Sequence, residues 1–330
     1  KRPRPEGTTF QMIVRLDLLG TALVIAAVVA FLLALQDGGL QYALLVGFGV
    51  IVIAFLVNEY FMGDNAIIAL RILTSRTIAF ASIANFGIGA AYFSVTIFLP
   101  IYFQLLGSSS IRSGVQLLPL VCGVILSVSV AGGAAPGVGY VQPFLYIGGA
   151  LGVVGAGLFQ LLNEHTKQSL WVGITFLFGI GTGCAFQMPF IVSQTAGKGI
   201  DTEVGTSIVI FCQASRKFLQ IRQDFANIGP KTLGGALIVS VCQSIYVNIF
   251  KKHIEELTIP GLDQARIIAS GATGFRSFVP ASLLEPVIHA AMFSIRRAFI
   301  PACVFMGVVM IATIPLPNAS IKGATATGGA

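Results

Sequence analysis

The most constraining feature of this sequence is the spacing of its charged residues, which are separated by long runs without any charge. Nineteen uncharged residues separate Asp17 from Asp37, and 35 separate Arg76 from Arg112. A helix that crosses a bilayer needs about 20 predominantly apolar residues. Only 10% of the 330 residues are charged, against about 25% in soluble domains. The spacing therefore predicts an all-α, polytopic membrane protein and excludes soluble, disordered and nucleic-acid-binding classes.

The uncharged runs predict seven clear membrane spans. They lie at residues 18–36, 38–58, 78–103, two within 113–163, one within 168–197, and 298–314. The connection between the fourth and fifth spans is predicted by turn residues at Gly132-Gly133, from Pro136 to Gly139, and at Pro143. Basic residues are more frequent in the loop before the first span and in the second connection, which places Lys1 in the cytoplasm.

An eighth span is predicted in two pieces. Residues 204–213 are apolar but too short to cross alone, and residues 232–250 are apolar again. Residues 214–231 separate them with five charges, and a charge at mid-bilayer costs at least ~2.5–3.5 kcal/mol. We expect residues 214–231 to be a non-native insertion, such as a short retained intron, because without them the flanking pieces form one continuous span. The alternative is a genuine amphipathic insertion at the membrane interface.

Five stretches of this sequence resemble fungal fourteen-span drug:proton antiporters of the major facilitator superfamily, the toxin-efflux branch. The first, LDLLGTALVIAAVVAFLLAL, contains Asp17. The second is an SGxxxLPxxxG pattern with Ser113, Gly114 and Pro119, and the third is GxGxxxQxPxxxxQ, with Gly181, Gly183, Gln187, Pro189 and Gln194. The fourth is FxQTLGGAL, matched across residues 214–231 by Phe211, Gln213 and residues 232–237, and the fifth is residues 260–280.

The resemblance implies a C-terminal part of such a protein, a major facilitator fold fragment with about eight transmembrane helices. Residues 1–16 would be the remnant of a cytoplasmic loop, and residues 17–76 two additional helices with a linker. Residues 77–315 would form the C-terminal six-helix bundle, with an extracellular loop at 251–297, and residues 316–330 a cytoplasmic tail. The N-terminal bundle would be missing.

The resemblance further implies proton-coupled efflux of drugs or toxins. The alternatives are a transporter of another small solute, such as a siderophore or an amino acid, or a non-functional truncated gene product. The expected partners are the lipid bilayer, a small amphipathic substrate, and protons acting through the missing half. We expect a monomer that binds no nucleic acid, in the plasma membrane or alternatively the vacuolar membrane.

Enzyme chemistry is not expected, since there are three scattered histidines and no HExxH motif. We therefore expect no catalytic residue, metal site or cofactor. The five cysteines lie in apolar stretches without CxxC spacing, which favours small buried side chains over a disulfide or zinc site. Outside residues 214–231 no ionisable residue lies in the middle of a span. The proton-coupling carboxylate is therefore expected in the missing half.

Neutral polar residues remain as candidates for substrate contact. They are Gln187, Gln194, Asn85, Gln104 and Gln213. Pro189 is expected to break the helix beside Gln187 near mid-depth, and discontinuous helices often line transporter sites. The alternative for each amide is an interhelical hydrogen bond of roughly 0.6 kcal/mol. Small residues and one proline are expected to serve helix packing or conformational change. They are Gly181, Gly183, Pro189, Gly148, Gly152, Gly234 and Gly235.

Overall fold

The computed structural model describes residues 18–36, 41–62, 76–189, 191–192, 233–256, 267, 274–277 and 279–316. Ten α-helices are defined over these residues. They are α1 (Leu18–Gln36), α2 (Gln41–Met62), α3 (Arg76–Leu105), α4 (Ser110–Val115), α5 (Leu118–Val138), α6 (Gln142–Leu158), α7 (Gln168–Phe186), α8 (Leu233–Glu256), α9 (Ala281–Ala298) and α10 (Ile300–Thr313).

Six helical stretches among these residues are long and apolar enough to cross a membrane. They are Tyr42–Met62, Arg76–Leu105, Ser110–Ala135, Gln142–Leu161, Gln168–Phe186 and Leu283–Thr313. The prediction of an all-α, multi-pass membrane protein is confirmed. Helices α1 and α8 lie where two further spans are predicted. The total of eight stays a prediction, because residues 204–213 lie outside the described part of the chain.

The long helices run in alternating directions, and hydrogen bonds between helix ends show which ends lie together. At one end, the hydroxyl of Tyr102, in the last turn of α3, donates to the Asn163 carbonyl at 2.9 Å. Gln160 donates from the end of α6 to the Arg296 carbonyl at 2.6 Å. At the opposite end, Gln142 at the start of α6 donates to the carbonyl of Leu316 beyond α10. We refer to the first of these as the Tyr102 end of the bundle.

Helix α3 is the most buried of the long helices and forms the centre of the bundle. It packs against α8, α9 and α10. Helix α6 packs against α10 and α7, and α5 packs against α7. Ring contacts mark these interfaces, such as Phe98 with Tyr246 at 6.4 Å and Phe103 with Trp171 at 4.7 Å. Helices α1 and α2 pair with each other, and α1 contacts α8. The core is therefore built around one central helix.

The connection between α5 and α6 lies at the later of the predicted turn residues, around Gly139 and Pro143, and not at the earlier pair. Helix α5 continues through Gly132 and Gly133 to Val138, so the prediction of a turn at these two residues is wrong. The helix ends at Gly139, whose φ of 78° is left-handed and whose N–H bonds to the Ala135 carbonyl at 2.9 Å. In a bilayer the helical hydrogen bonds stay favourable even for glycine-rich sequence, because no water competes for the backbone.

Part of the segment predicted as an extracellular loop forms a helix. Helix α9 buries one stripe of side chains at helical spacing, including Val287, Ala291 and Ile295, while Glu285 and His289 are exposed. This amphipathic stripe packs against α8 and α3. The segment therefore contributes a packed helix to the bundle, which the charge spacing alone does not reveal.

Candidate functional site

Helix α7 approaches α6 so closely that only glycine fits between their backbones. A Cβ built on Gly148 would lie 2.8 Å from the Gly181 carbonyl oxygen, and one on Gly155 would lie 2.8 Å from Cα of Phe178. Gly152 and Gly181 face each other with their backbones in contact. Small residues at such spacing let membrane helices gain van der Waals contact along their backbones. The α6–α7 interface therefore has no room for a larger residue at Gly148, Gly155 or Gly181, whereas a Cβ on Gly152 would meet a methionine side chain of α10.

The opposite side of α7 makes a second interface of the same kind with α5. A Cβ on Gly123 would lie 2.6 Å from the Phe176 carbonyl oxygen, and one on Gly183 would lie 2.7 Å from the Val124 carbonyl oxygen. The Ser127 hydroxyl donates to the Gly123 carbonyl at 2.7 Å. Helix α7 is thus held between two glycine-lined interfaces. Gly234 and Gly235 lie in the first turn of α8.

Helix α7 ends at Gln187, two residues before Pro189. Pro189 has no N–H to offer the carbonyl of Ala185 four residues before it, and the Gln187 N–H bonds to that carbonyl instead. The Ile191 N–H bonds to the Gln187 carbonyl at 3.3 Å. The Gln187 side chain is exposed, whereas Pro189 is buried.

The length of α7 and its contact with α3 give the position of this break along the bundle. The 19 residues of α7 before it extend about 28 Å at 1.5 Å per residue, close to the ~30 Å thickness of the hydrocarbon core. The residue before the break, Phe186, lies beside Tyr92, the seventeenth of the 30 residues of α3, and a break near mid-depth of the membrane stays a prediction.

The amides proposed as substrate contacts do not all lie together. Asn85 is fully buried in α3, and it is 19 residues, about 28 Å, from Gln104 on the same helix. The ring of Phe186, next to Gln187, lies 6.1 Å from the ring of Tyr92. Tyr92 is about 10 Å along α3 from Asn85. Gln187 therefore lies near the level of the middle of α3, whereas Asn85 lies further from the Tyr102 end and Gln104 lies toward it.

Gln104 has a structural partner. Its Nε2 donates to the Ser113 hydroxyl at 3.2 Å, and that hydroxyl donates to the Ser110 carbonyl at 2.8 Å. This contact joins the end of α3 to α4. Gly114 is exposed in α4, and Pro119 lies in the first turn of α5, where its missing N–H has no helical partner to lose. Gln194, Gln213 and Asp17 lie outside the described residues.

The structure brings together two polar pairs that sequence reasoning misses. Cys242 of α8 lies with its Sγ 3.4 Å from the Ser94 hydroxyl of α3, both fully buried. Arg276 donates to the carbonyl of Leu105 at the end of α3. Ser94 and Cys242 sit in apolar runs with no distinguishing spacing. Arg276 is one of two arginines in a long connection, so neither pair carries a sequence signal.

The chemistry available here is neutral hydrogen bonding, close backbone packing and apolar contact. Within the described residues, no group of three His, Cys, Asp or Glu side chains could hold a metal ion. The aromatic residues of α3 pack into the bundle, where Phe98, Tyr102 and Phe103 are buried. The arrangement offers an exposed amide at Gln187 beside tightly packed interfaces on both sides of α7.

The chain is similar over most of its length to fungal proteins whose names describe efflux. It is 31% identical over 320 residues to the "MFS-type efflux pump MFS1" of Arthroderma benhamiae, which covers 94% of this chain and 56% of that protein. It is 34% identical over 323 residues to the "Aspyridones efflux protein" of Neocamarosporium betae, covering 94% and 54%. It is 33% identical over 291 residues to the "MFS acetylaranotin efflux transporter ataA" of Aspergillus terreus, covering 86% and 61%.

The chain spans about half the length of the curated relatives it matches. No family model matches it.

Proposed function

Because this chain belongs to the major facilitator superfamily, among its fungal efflux proteins, we propose that it forms part of a transporter that exports a small amphipathic molecule. The observation that carries the proposal is the similarity to proteins named for efflux over 86–94% of the chain. The names of two relatives specify aspyridones and acetylaranotin as what those proteins export. For this chain we propose a small organic substrate of comparable amphipathic character.

The geometry supports a binding role rather than an enzymatic one. Gln187 presents an exposed amide at the broken end of α7, and the two glycine-lined interfaces hold that helix between α5 and α6. A substrate that bonds to Gln187 would therefore act on a helix whose movement is passed to its neighbours by direct backbone contact. We propose that Gln187 contacts the substrate and that α5, α6 and α7 move together during transport.

We further propose that the transporter is proton-coupled and lies in the plasma membrane. A buried ionisable group is the usual means of coupling. Glu59 is the charged residue buried among the described side chains, and it lies in the last turn of α2. We propose that the coupling carboxylate is supplied by a part of the transporter outside this chain.

A chimera tests the export function. The chain would replace the matching 56% of the Arthroderma benhamiae pump, and the chimera would be produced in a yeast strain that lacks its own efflux pumps. We expect cells with the chimera to accumulate less rhodamine 6G, a fluorescent amphipathic cation, than cells with empty vector. Substitution Q187A should raise accumulation again. Unchanged accumulation by a chimera that reaches the plasma membrane would contradict the proposal.

A further inference from the structure

Two kinds of interface join the helices of this bundle, and they differ in which atoms meet. Helices α5, α6 and α7 meet backbone to backbone. A Cβ on Gly123 of α5 would lie 2.6 Å from the Phe176 carbonyl oxygen of α7, and one on Gly155 of α6 would lie 2.8 Å from Cα of Phe178. A sliding movement at such a contact would press one backbone into the other. These three helices therefore form one closely packed unit, which we name the α5–α7 unit.

Helices α3, α8 and α10 form a second unit, which we name the α3 unit. A Cβ on Gly87 of α3 would lie 2.9 Å from the Phe305 carbonyl oxygen of α10, so these two helices also meet at their backbones. Helix α8 packs on α3, where the buried Cys242 Sγ lies 3.4 Å from the Ser94 hydroxyl. Helix α9 packs on both α8 and α3 and so belongs to the same unit.

Where α6 packs on α10, the two units meet through methionine side chains. A Cβ on Gly152 of α6 would meet the end of the Met306 side chain, and one on Gly149 would lie no closer than 3.3 Å to Met310. Methionine is unbranched and rotates about three side-chain bonds, so it can follow a neighbour that shifts. The α6–α10 contact can therefore change without a collision between backbones.

Where α3 meets α7, the two units touch through aromatic rings. The Phe103 ring lies 4.7 Å from the Trp171 ring, and the Tyr92 ring lies 6.1 Å from the Phe186 ring, both edge to face. Aromatic pairs attract one another over centroid distances of about 4.5–7 Å, so a small shift keeps these rings in contact. We name the α6–α10 and α3–α7 contacts together the seam. Side chains rather than backbones meet along both parts of it.

The side-chain hydrogen bonds at the two ends of the bundle also cross the seam, and each joins one side chain to one backbone carbonyl. Their donors are Tyr102, Gln160 and Gln142. A neutral bond of this kind adds little net stability, because water can replace either partner. In the interior of the seam, Cys303 Sγ of α10 lies 3.8 Å from the Val153 carbonyl oxygen of α6, and a thiol is a weak donor. These bonds therefore restrain the seam less than backbone contacts restrain each unit.

We propose that the α5–α7 unit slides along the seam against the α3 unit during transport. The inference rests on the proposed function and specifies where the movement occurs inside this chain. Packed helices slide by small side-chain adjustments, which the methionines and rings of the seam permit and the backbone contacts within each unit do not. Gln187 follows α7 directly, so a substrate bound there would move with the α5–α7 unit relative to α3.

Two disulfides, each made from one native cysteine and one substitution, test the proposal. V153C places a thiol opposite Cys303 across the seam, and S94C places one opposite Cys242 within the α3 unit. Each would be made in the chimera with all cysteines outside the pair replaced by alanine, and closed with copper phenanthroline in inside-out vesicles. We expect oxidised V153C to lose rhodamine 6G uptake and to regain it on reduction with dithiothreitol. Oxidised S94C should keep its uptake.

The reduced form of each variant is its own control for folding, and mass spectrometry of peptides would confirm that each disulfide has closed. Equal uptake by oxidised and reduced V153C would overturn the proposal, because the units would then not move against each other. A loss in oxidised S94C as large as in oxidised V153C would also overturn it, since the movement would not be confined to the seam. Absence of uptake in every form, including the chimera without either substitution, would instead contradict the proposed function and with it this inference.

Discussion

Arg276 holds the connection between α8 and α9 against the end of α3. Its guanidinium donates to the carbonyl of Leu105, the last residue of α3. The end of a helix carries unsatisfied carbonyls and a partial negative charge, so a cation there is stabilising. Arg276 also lies over Gly107, whose φ of 92° is left-handed, and its Nη1 would be 3.4 Å from a Cβ at that glycine. One side chain thus ties a long connection to the central helix.

Removal of this contact should destabilise the bundle. We expect R276Q to lower the free energy of unfolding by about 1–2 kcal/mol, because the helix end loses its cation and its charge-assisted hydrogen bond. The measurement is the thermal unfolding midpoint of the purified chain in detergent. R112Q, at an exposed position, is the control and should not change the midpoint. Equal midpoints for the two variants would show that the Arg276 contact contributes nothing.

Glu59 allows a test of where proton coupling resides. It is buried, and it lies three residues before the end of α2, about 5 Å along the helix. A position so near the helix end is suited to the membrane interface rather than to a pathway through the bundle. We expect E59Q in the chimera to keep the pH dependence of rhodamine 6G export. Export that becomes independent of pH in E59Q would place the coupling carboxylate in this chain.

The sequence predicts the role of a residue when side-chain size alone decides that role, as it does for glycines at helix contacts. Small-residue spacing predicts packing roles for the glycines at 148 and 152, and the family motif does so for those at 181 and 183. A Cβ at 148, 181 or 183 would meet the backbone of a neighbouring helix, whereas one at 152 would meet a side chain. The sequence does not show which amides are buried, which are exposed and which have a hydrogen-bond partner. Gln104 bonds to Ser113, Asn85 is buried and Gln187 is exposed, and these differences depend on which neighbouring helix each residue faces.

At the scale of helices, the tight interface between α6 and α7 is the element most sensitive to substitution. In G181A the new methyl group would meet the Gly152 backbone. Overpacking of this kind costs about 1–3 kcal/mol. We expect G181A to lower the unfolding midpoint of the chain and to reduce export by the chimera.

Gly173 provides the matched control on the same helix. A Cβ there would have no heavy atom within 4 Å. G173A should therefore leave the unfolding midpoint and the export rate unchanged. If G181A were tolerated as well as G173A, the α6–α7 interface would have to be looser than its backbone distances indicate.

Helix α9 and the end of α5 show which elements charge spacing can and cannot reveal. Bilayer-length apolar runs identify spans because lipid leaves no alternative to a continuous helix. An amphipathic helix such as α9 carries charges on its exposed side. These charges interrupt the uncharged run, so charge spacing predicts a loop there. Gly132 and Gly133 read as a turn because that expectation comes from water-soluble proteins, whereas α5 passes through them.

At the scale of the whole molecule, residues 214–231 are the segment that the account predicts to be dispensable. They divide one apolar span into two pieces, and they lie outside the described residues. We expect deletion of residues 214–231 to raise the yield of membrane-inserted chimera and its export rate, because the two apolar pieces can then cross as one helix. Loss of export on deletion, or peptides covering Arg222 to Lys231 in the mature protein, would show that the segment belongs to the working transporter.

The most direct test of the account is a sided transport measurement. Inside-out membrane vesicles that contain the chimera would be given rhodamine 6G outside and an acidic or a neutral interior. We expect dye accumulation that depends on the acidic interior, is reduced in G181A and is retained in G173A. Accumulation equal to that of vesicles without the chimera, with the protein shown to be present and folded, would contradict the claim that this chain is part of an exporter.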